Sequence, residues 1–393
     1  MSESMPALLL MFALVALVLP GTLYLLLLSL AGLRTVRLPA GLVPATGRLA
    51  IIVPAHNESA GIARTVDNLL ATAQQDGEAI VCVIADNCTD ATAEIARAHG
   101  ALVLERQNLE QRGKGYALDF AFNTLANEGF LGYLVIDADT LAETNLLSVI
   151  RAHFAAGAQV VQTRYTVLNA GESARTRLAE LALCAFNCLR PRGRHALGCS
   201  AGILGNGFAL HREVLERVPY SATSVVEDLE YHLRLIEADI RVHFADETVV
   251  RGDMPVAGEG QKTQRARWEG GRLRMLLDHA PSLFKRVFSG QLRFLEPLLD
   301  LLLLPIAYHS LLLLILLFLP FSLAWMLSLS GLVIVALHVL IAARVGGLSW
   351  GQLASILIHI PKYLFWKLAM LRSILSASKT STRWVRTDRD HTS

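Results

Sequence analysis

The hydrophobic positions of the chain fall into distinct regimes. From Ser4 to Leu33 no Asp, Glu, Lys or Arg interrupts an apolar run, which is longer than the roughly 20 residues needed to cross a hydrocarbon core. Leu301–Ala343 is a second charge-free block, long enough for two spans with a turn at Pro320 or around Ser328–Gly331. Between them, residues 48–281 have the composition of a soluble domain, with no repeat or low-complexity tract. Short β-rich runs predict strands at Leu49–Val53, Ala79–Ala85, Ala101–Leu104, Tyr133–Ile136, Gln159–Thr163 and Ile240–Ala245. Helical patterns fall at Gly61–Ala73, Ala91–His99, Gly113–Asn127, Glu143–Ala155 and Leu229–Glu237. Such alternation predicts βαβ units and a largely parallel sheet, whose ligands bind at the carboxyl ends of the strands.

Two stretches are mixed. Ser282–Leu299 combines Lys285, Arg286 and Arg293 with Leu and Phe and reads as an interface helix. Gly351–Ser376 is apolar but carries Lys362, Lys367, Arg372 and Pro361; an interfacial or re-entrant helix fits it better than a span. A span there would put the basic tail (Lys379, Arg383, Arg386, Arg389) on the outer side, against the positive-inside rule. Arg34, Arg37 and Arg48 follow the first apolar run, so that rule keeps the N-terminus outside and the following block in the cytoplasm. A signal peptide would need a positive n-region, and the only early charge is Glu3. The expected organisation is therefore a transmembrane helix and linker (1–47), a cytoplasmic α/β domain (48–281), a membrane-associated part (282–376) and a basic tail (377–393). The third part holds an interfacial helix, two transmembrane helices and a further membrane-embedded or interfacial helix.

Composition agrees. Hydrophobic residues make up 53% and charged residues 18%, below the roughly 25% charged of soluble domains. The net charge of +2 gives no global basic field for nucleic acid. The five cysteines are an odd number in a large chain and read as reduced thiols. Cys184 and Cys188 lack further ligands at zinc spacing.

The candidate chemistry sits at predicted strand ends. Asp86 closes one strand, followed by Asn87, Cys88, Thr89 and Asp90; Asp137 and Asp139 close another as Asp-Ala-Asp. Carboxylates so spaced can reach Mg²⁺ or Mn²⁺ and a diphosphate together, or merely cap the next helix. Asn57 and Glu58, in Pro54-Ala55-His56-Asn57-Glu58, suit a base or ribose, or cap the helix from Gly61. Arg112-Gly113-Lys114-Gly115 opens a helix in a way that suits a phosphate, but the P-loop spacing is absent, which excludes that ATPase motif. Glu227-Asp228 begins a helical stretch and reads alone as a dipole partner. Gln264-Arg265-Ala266-Arg267-Trp268 reads alone as a membrane-surface patch.

Taken in order, these motifs, with Gly205-Asn206-Gly207 and Val226-Glu227-Asp228, resemble membrane-integrated family 2 glycosyltransferases of GT-A (Rossmann-like α/β) fold. The likeness is to the branch with cellulose, hyaluronan and chitin-oligosaccharide synthases, and covers roughly residues 48–281 and the flanking spans. That branch carries an Asp, an Asp-x-Asp, a Thr-Glu-Asp and a Gln-x-x-Arg-Trp in this order. Val226 stands where the family has Thr, and the loop around Asn206 departs from the polymer synthases.

The resemblance implies a role for each matching residue. Asp86 would contact uridine with Asn57 and Glu58 nearby, Lys114 would approach the diphosphate, and Asp137 would help bind the nucleotide-sugar. Asp139 would hold the metal. Asp228 would be the general base, supported by Glu227, and Gln264, Arg267 and Trp268 would close over the diphosphate and acceptor end. The implied activity is inverting, metal-dependent transfer from a UDP-sugar to a growing polysaccharide or oligosaccharide at a bacterial inner membrane. Alternatives are a lipid glycosyltransferase similar to ceramide glucosyltransferases, with a glycolipid product, and a non-catalytic membrane scaffold. The implied partners are the donor, a saccharide or glycolipid acceptor and membrane lipids, with no nucleic acid.

Overall fold

The strand Leu49–Ala55 (β1) lies at the middle of a parallel group because nearly every residue of it is buried. Ala79–Asp86 (β2) and Gly132–Val135 (β4) pair with it in parallel, and Leu102–Arg106 (β3) pairs with β2. Thr140–Ala142 (β5), Val160–Val167 (β6), Phe208–His211 (β7) and Val242–Gly252 (β8) extend the sheet. Its eight strands run in the order β3-β2-β1-β4-β7-β6-β8-β5. β7 is antiparallel to both of its neighbours, whereas β6 and β8 are parallel. The computed structural model describes residues 4–221, 226–256 and 259–379, and the side chains of 4, 259–264 and 379 lie outside that description.

Successive side chains of a strand point to opposite faces, and both faces of this sheet are covered. Ala50 and Ile52 of β1, with Cys82 and Ile84 of β2, meet Leu118, Phe122 and Leu235 on one side. Leu49, Ile51 and Val53 meet Ile62, Val66 and Ile150 on the other. Two-sided burial explains why these strands read as continuous apolar runs rather than as alternations.

The chain forms two compact units. The sheet unit comprises Thr35–Leu183 and Gly198–Thr263. The other comprises Met1–Arg34, Cys184–Leu197 and Gln264–Thr380. The block 48–281 is therefore divided: Cys184–Leu197 and the chain from Gln264 belong with the apolar helices. The physical reason is close packing and charge pairing. A Cβ on Gly193 would stand 2.5 Å from the carbonyl of Leu28, so the N-terminal helix approaches this segment backbone to backbone. Arg194 forms ion pairs with Glu296 and Asp300.

In that unit Met5–Ala31 and Ser322–Val345 are long and apolar enough to cross a membrane. Ile306–Leu317 has 12 residues, about 18 Å at 1.5 Å per residue, short of a core of about 30 Å. With Leu292–Leu302 it forms an apolar pair bent by 76°, which makes a third span if counted as one. Of the two turns the second apolar block allows, the chain uses the one at Pro320. Residues read as an interface helix at Ser282–Leu299 are split. The helix Glu259–Phe288 takes the first part, and Leu295–Leu302 the last. Gly351–Ser376 is interrupted too, between Trp350–Leu357 and Ile360–Lys379. All five cysteines are free thiols. The basic tail beyond Lys379 lies outside the described residues.

Candidate active site

Loops leave the carboxyl ends of β2, β1 and β4, which are adjacent strands. Asp86 ends β2 and Asp137 follows β4, so the two lie on either side of β1.

The β1 and β2 loops interlock. Asn57 and Asn87 take left-handed backbone, φ 55° and 51°, a region that Asn tolerates better than most residues. Asn57 Oδ1 accepts from the Thr89 amide at 2.7 Å, and Asn87 Oδ1 from the Asn108 amide at 2.7 Å. The Glu58 amide donates to Thr92 Oγ1 at 2.8 Å, and the Glu58 carbonyl receives the Gly61 and Ile62 amides. Glu58 thus starts the helix Ile62–Asp76 through its backbone and leaves side-chain capping unused. Asp86 is 6% exposed and accepts from Arg106 Nη1 at 2.7 Å, a buried charge pair that fixes the end of β2.

The second cluster contains most of the remaining acids. Lys114, first residue of the helix Lys114–Leu125, forms an ion pair with Asp137 and donates to the Gly205 carbonyl. Burial alone would lower the Lys114 pKa, but Asp137, Glu227 and Asp228 together raise it, so the ammonium is held charged. Asp228 lies in the first turn of the helix Glu227–Glu237, where its Oδ1 accepts from the Leu229 amide at 2.8 Å. Burial raises its pKa, against the lowering effects of the Leu229 amide and Lys114. Gly205 has φ 78°, and a Cβ there would stand 3.1 Å from Asp228 Oδ2. Glycine at this point serves both the turn and the close approach.

Lys114, Asp137, Glu227 and Asp228 thus share one electrostatic neighbourhood, although they come from distant parts of the chain. Asp139 lies two residues past Asp137 in the chain. Its carboxylate accepts from Thr140 Oγ1 at 3.2 Å, and its carbonyl from the Asp253 amide at 3.4 Å. Two residues outside the candidate site set hold this loop. Asn206 is 1% exposed, accepts from the Asp137 amide at 3.1 Å and donates to Thr140 Oγ1 at 2.8 Å. Gln162, fully buried, donates to the Asn206 carbonyl at 2.7 Å. The Gly-Asn-Gly motif signalled Asn206, whereas nothing local signalled Gln162 or Arg106.

Arg267 and Trp268 lie on the helix Glu259–Phe288 and, like Gln264, group with the apolar-helix unit. The side chain of Gln264 is outside the described residues. Among the described residues no three His, Cys, Asp or Glu side chains gather as a metal cage. Mg²⁺ and similar ions usually keep several waters and bind through one or two carboxylates plus substrate phosphates. The half-buried carboxylates of Asp137 and Asp139 fit that kind of site.

A family model described as "Glycosyltransferase like family 2" matches residues 44–271. The probable glycosyltransferase YdaM of Bacillus subtilis (strain 168) is 23% identical over 249 residues, covering 61% of this chain and 58% of that protein. The beta-monoglucosyldiacylglycerol synthase of Nostoc sp. is 29% identical over 252 residues, covering 60% of this chain and 51% of that protein. The chain thus spans little more than half the length of these relatives. Among solved structures, a mannosyltransferase of Pyrobaculum calidifontis in complex with GDP-Man and Mn²⁺ is similar in fold, with a TM-score of 0.53 and 18% identity. That match covers 94% of this chain and 97% of the other.

Proposed function

The chain belongs to glycosyltransferase-like family 2, and from that premise we propose that it is an inverting hexosyltransferase. In this reading it moves a sugar from a UDP-sugar to an acceptor at a membrane, with Mg²⁺ or Mn²⁺ as cofactor. The observation that carries the proposal is the convergence of Lys114, Asp137, Gly205 and Asp228 beside the carboxyl ends of parallel strands. A cation between acids at this place suits a diphosphate. A half-buried carboxylate with a raised pKa suits proton removal from a hydroxyl.

The proposed mechanism divides the work. Asn57, Glu58 and Asp86 hold the nucleoside end of the donor on the interlocked β1 and β2 loops. Lys114 exchanges part of its contact with Asp137 for a diphosphate oxygen and offsets negative charge as the sugar bond breaks. Asp139, with Asp137, would hold the metal, which supplies further charge neutralisation for the leaving diphosphate. Asp228 accepts the proton of the acceptor hydroxyl, and Glu227 adds negative charge next to it that favours that proton. The mannosyltransferase of similar fold was solved with Mn²⁺, which supports the cofactor assignment.

The acceptor is a growing saccharide or a membrane lipid. The likeness to a beta-monoglucosyldiacylglycerol synthase favours the lipid. Arg34, Arg37 and Arg48 after the first apolar helix support a cytoplasmic sheet unit at a bacterial inner membrane. The test incubates membranes containing the chain with radiolabelled UDP-glucose, UDP-galactose, UDP-N-acetylglucosamine and GDP-mannose, then partitions the products. Label entering the organic phase supports a glycolipid, and label in an aqueous polymer supports the saccharide. A chain that binds UDP yet transfers none of these sugars is a scaffold, and the proposal is lost.

A further inference from the structure

The unit of apolar helices holds more buried positive charge than its carboxylates balance. Arg194 pairs with Glu296 at 2.7 Å and with Asp300, and Arg272 pairs with Asp300 at 3.1 Å. The Tyr24 hydroxyl also donates to Glu296. Both carboxylates are thereby engaged. Arg190 is 4% exposed, its Nε has no hydrogen-bond partner, and among the described residues it forms no ion pair. Its aromatic contact is with Phe186, whose ring centroid is 5.3 Å from the guanidinium carbon. Arg272 approaches the same ring at 5.8 Å.

Three guanidinium groups against two carboxylates leave one formal positive charge. A buried charge without a partner is costly, and a ring face returns only part of what water gave. A second polar atom is left over within electrostatic reach of Arg190: His338 Nε2 is buried without a partner, while its Nδ1 lies 2.8 Å from Ser29 Oγ. Phe186, whose ring packs against the Arg190 guanidinium, is 37% exposed. The backbone there is a π-helix, Cys184–Leu189, ending immediately before Arg190. Such turns occur often at functional sites.

We propose that Arg190, with Arg272 beside it and Phe186 over it, binds the phosphate group of an anionic lipid. A guanidinium fork matches two phosphate oxygens at once, and an anion there removes the charge excess. Exposed leucines of the N-terminal helix, Leu23, Leu27 and Leu30, offer acyl chains an apolar surface in the same unit, which favours a lipid over a free anion. Arg272 stands four residues beyond Trp268 on the helix Glu259–Phe288, so the site shares a helix with the Arg-Trp motif. The inference concerns binding and does not depend on sugar transfer.

The test titrates the purified full-length chain, in a non-ionic detergent, with dioctanoyl phosphatidic acid, dioctanoylglycerol and inorganic phosphate, and reads complexes by native mass spectrometry. Phosphatidic acid is expected to bind about tenfold or more tighter than either of the others. Arg190→Gln should remove that preference, and Arg190→Lys, which keeps the charge without the fork, should weaken it several-fold. If Arg190→Gln does not fold, the lysine variant decides. Asp228→Asn should bind the lipid as the wild type does, which separates this result from the transfer reading. Equal binding of dioctanoylglycerol, equal binding of inorganic phosphate, or undiminished binding by the folded Arg190 variants would overturn the proposal.

Discussion

Asp228, the base in the proposed mechanism, carries a raised pKa that works against stability once it ionises. Burial raises its pKa above the ordinary carboxylate value, against the amide of Leu229 and the charge of Lys114. The folded chain therefore holds this proton more tightly than the unfolded chain. Stability from this group is present at low pH and falls as pH rises through the folded pKa. The Asp228→Asn chain should melt higher than wild type near pH 7.5, with the gap closing toward pH 4, as thermal unfolding in detergent would read. The same variant should lose transfer by about 10²- to 10⁴-fold while keeping its affinity for UDP. Wild-type turnover would remove the base assignment. Asp139→Ala should weaken Mn²⁺-dependent transfer far more than UDP binding without metal. Excess EDTA should abolish turnover in wild type, and added Mn²⁺ should restore it.

At the level of elements, the loops of the candidate site are fixed by buried amides as well as by charge. Asn206 satisfies the Asp137 amide and the Thr140 hydroxyl, and Gln162 in turn holds Asn206. Asn206→Ala leaves the Asp137 amide without its acceptor, which should cost about 1–3 kcal/mol. It should also lower turnover by displacing Asp137 and Asp139, seen as a reduced melting temperature together with a reduced kcat. An unchanged kcat would show that the loop keeps its shape without this support. Much of this layer is legible in the sequence. β1, β2 and the helix Ile62–Asp76 fall where apolar runs and helical periodicity place them, because two-sided burial writes itself into composition. Thr140–Ala142 is three residues long and Phe208–His211 four, too short for any period to show. Arg106 and Gln162 gain their roles only through partners that the sheet brings near, so no local pattern marks them.

Across the whole molecule, the segment least legible in the sequence is Cys184–Leu197. Its arginines make it read as part of a soluble block, yet it groups with the apolar helices. The reason is charge pairing at long separation: Arg194 reaches Asp300 across 106 positions and also contacts Tyr24 of the N-terminal helix. One guanidinium therefore joins three stretches that sequence proximity keeps apart. Removing Arg194 leaves Glu296 without its cation, whereas removing Arg194 and Glu296 together strands neither, so the two kinds of change should differ sharply. Arg194→Gln should destabilise the chain by about 3–5 kcal/mol, read as a fall in melting temperature and in the yield of folded protein from detergent extraction. The Arg194→Gln, Glu296→Gln pair should recover a large part of that loss, since Asp300 then remains with Arg272 as its cation. A double variant no more stable than Arg194→Gln alone would mean that the arginine acts by packing rather than by charge. The same comparison bears on the surplus cation, because Arg194→Gln alone cancels the positive excess around Arg190, whereas the double variant, losing one cation and one carboxylate, keeps it. The double variant should therefore bind dioctanoyl phosphatidic acid about as tightly as the wild-type chain and more tightly than Arg194→Gln alone, an outcome that a purely structural role for these arginines does not produce.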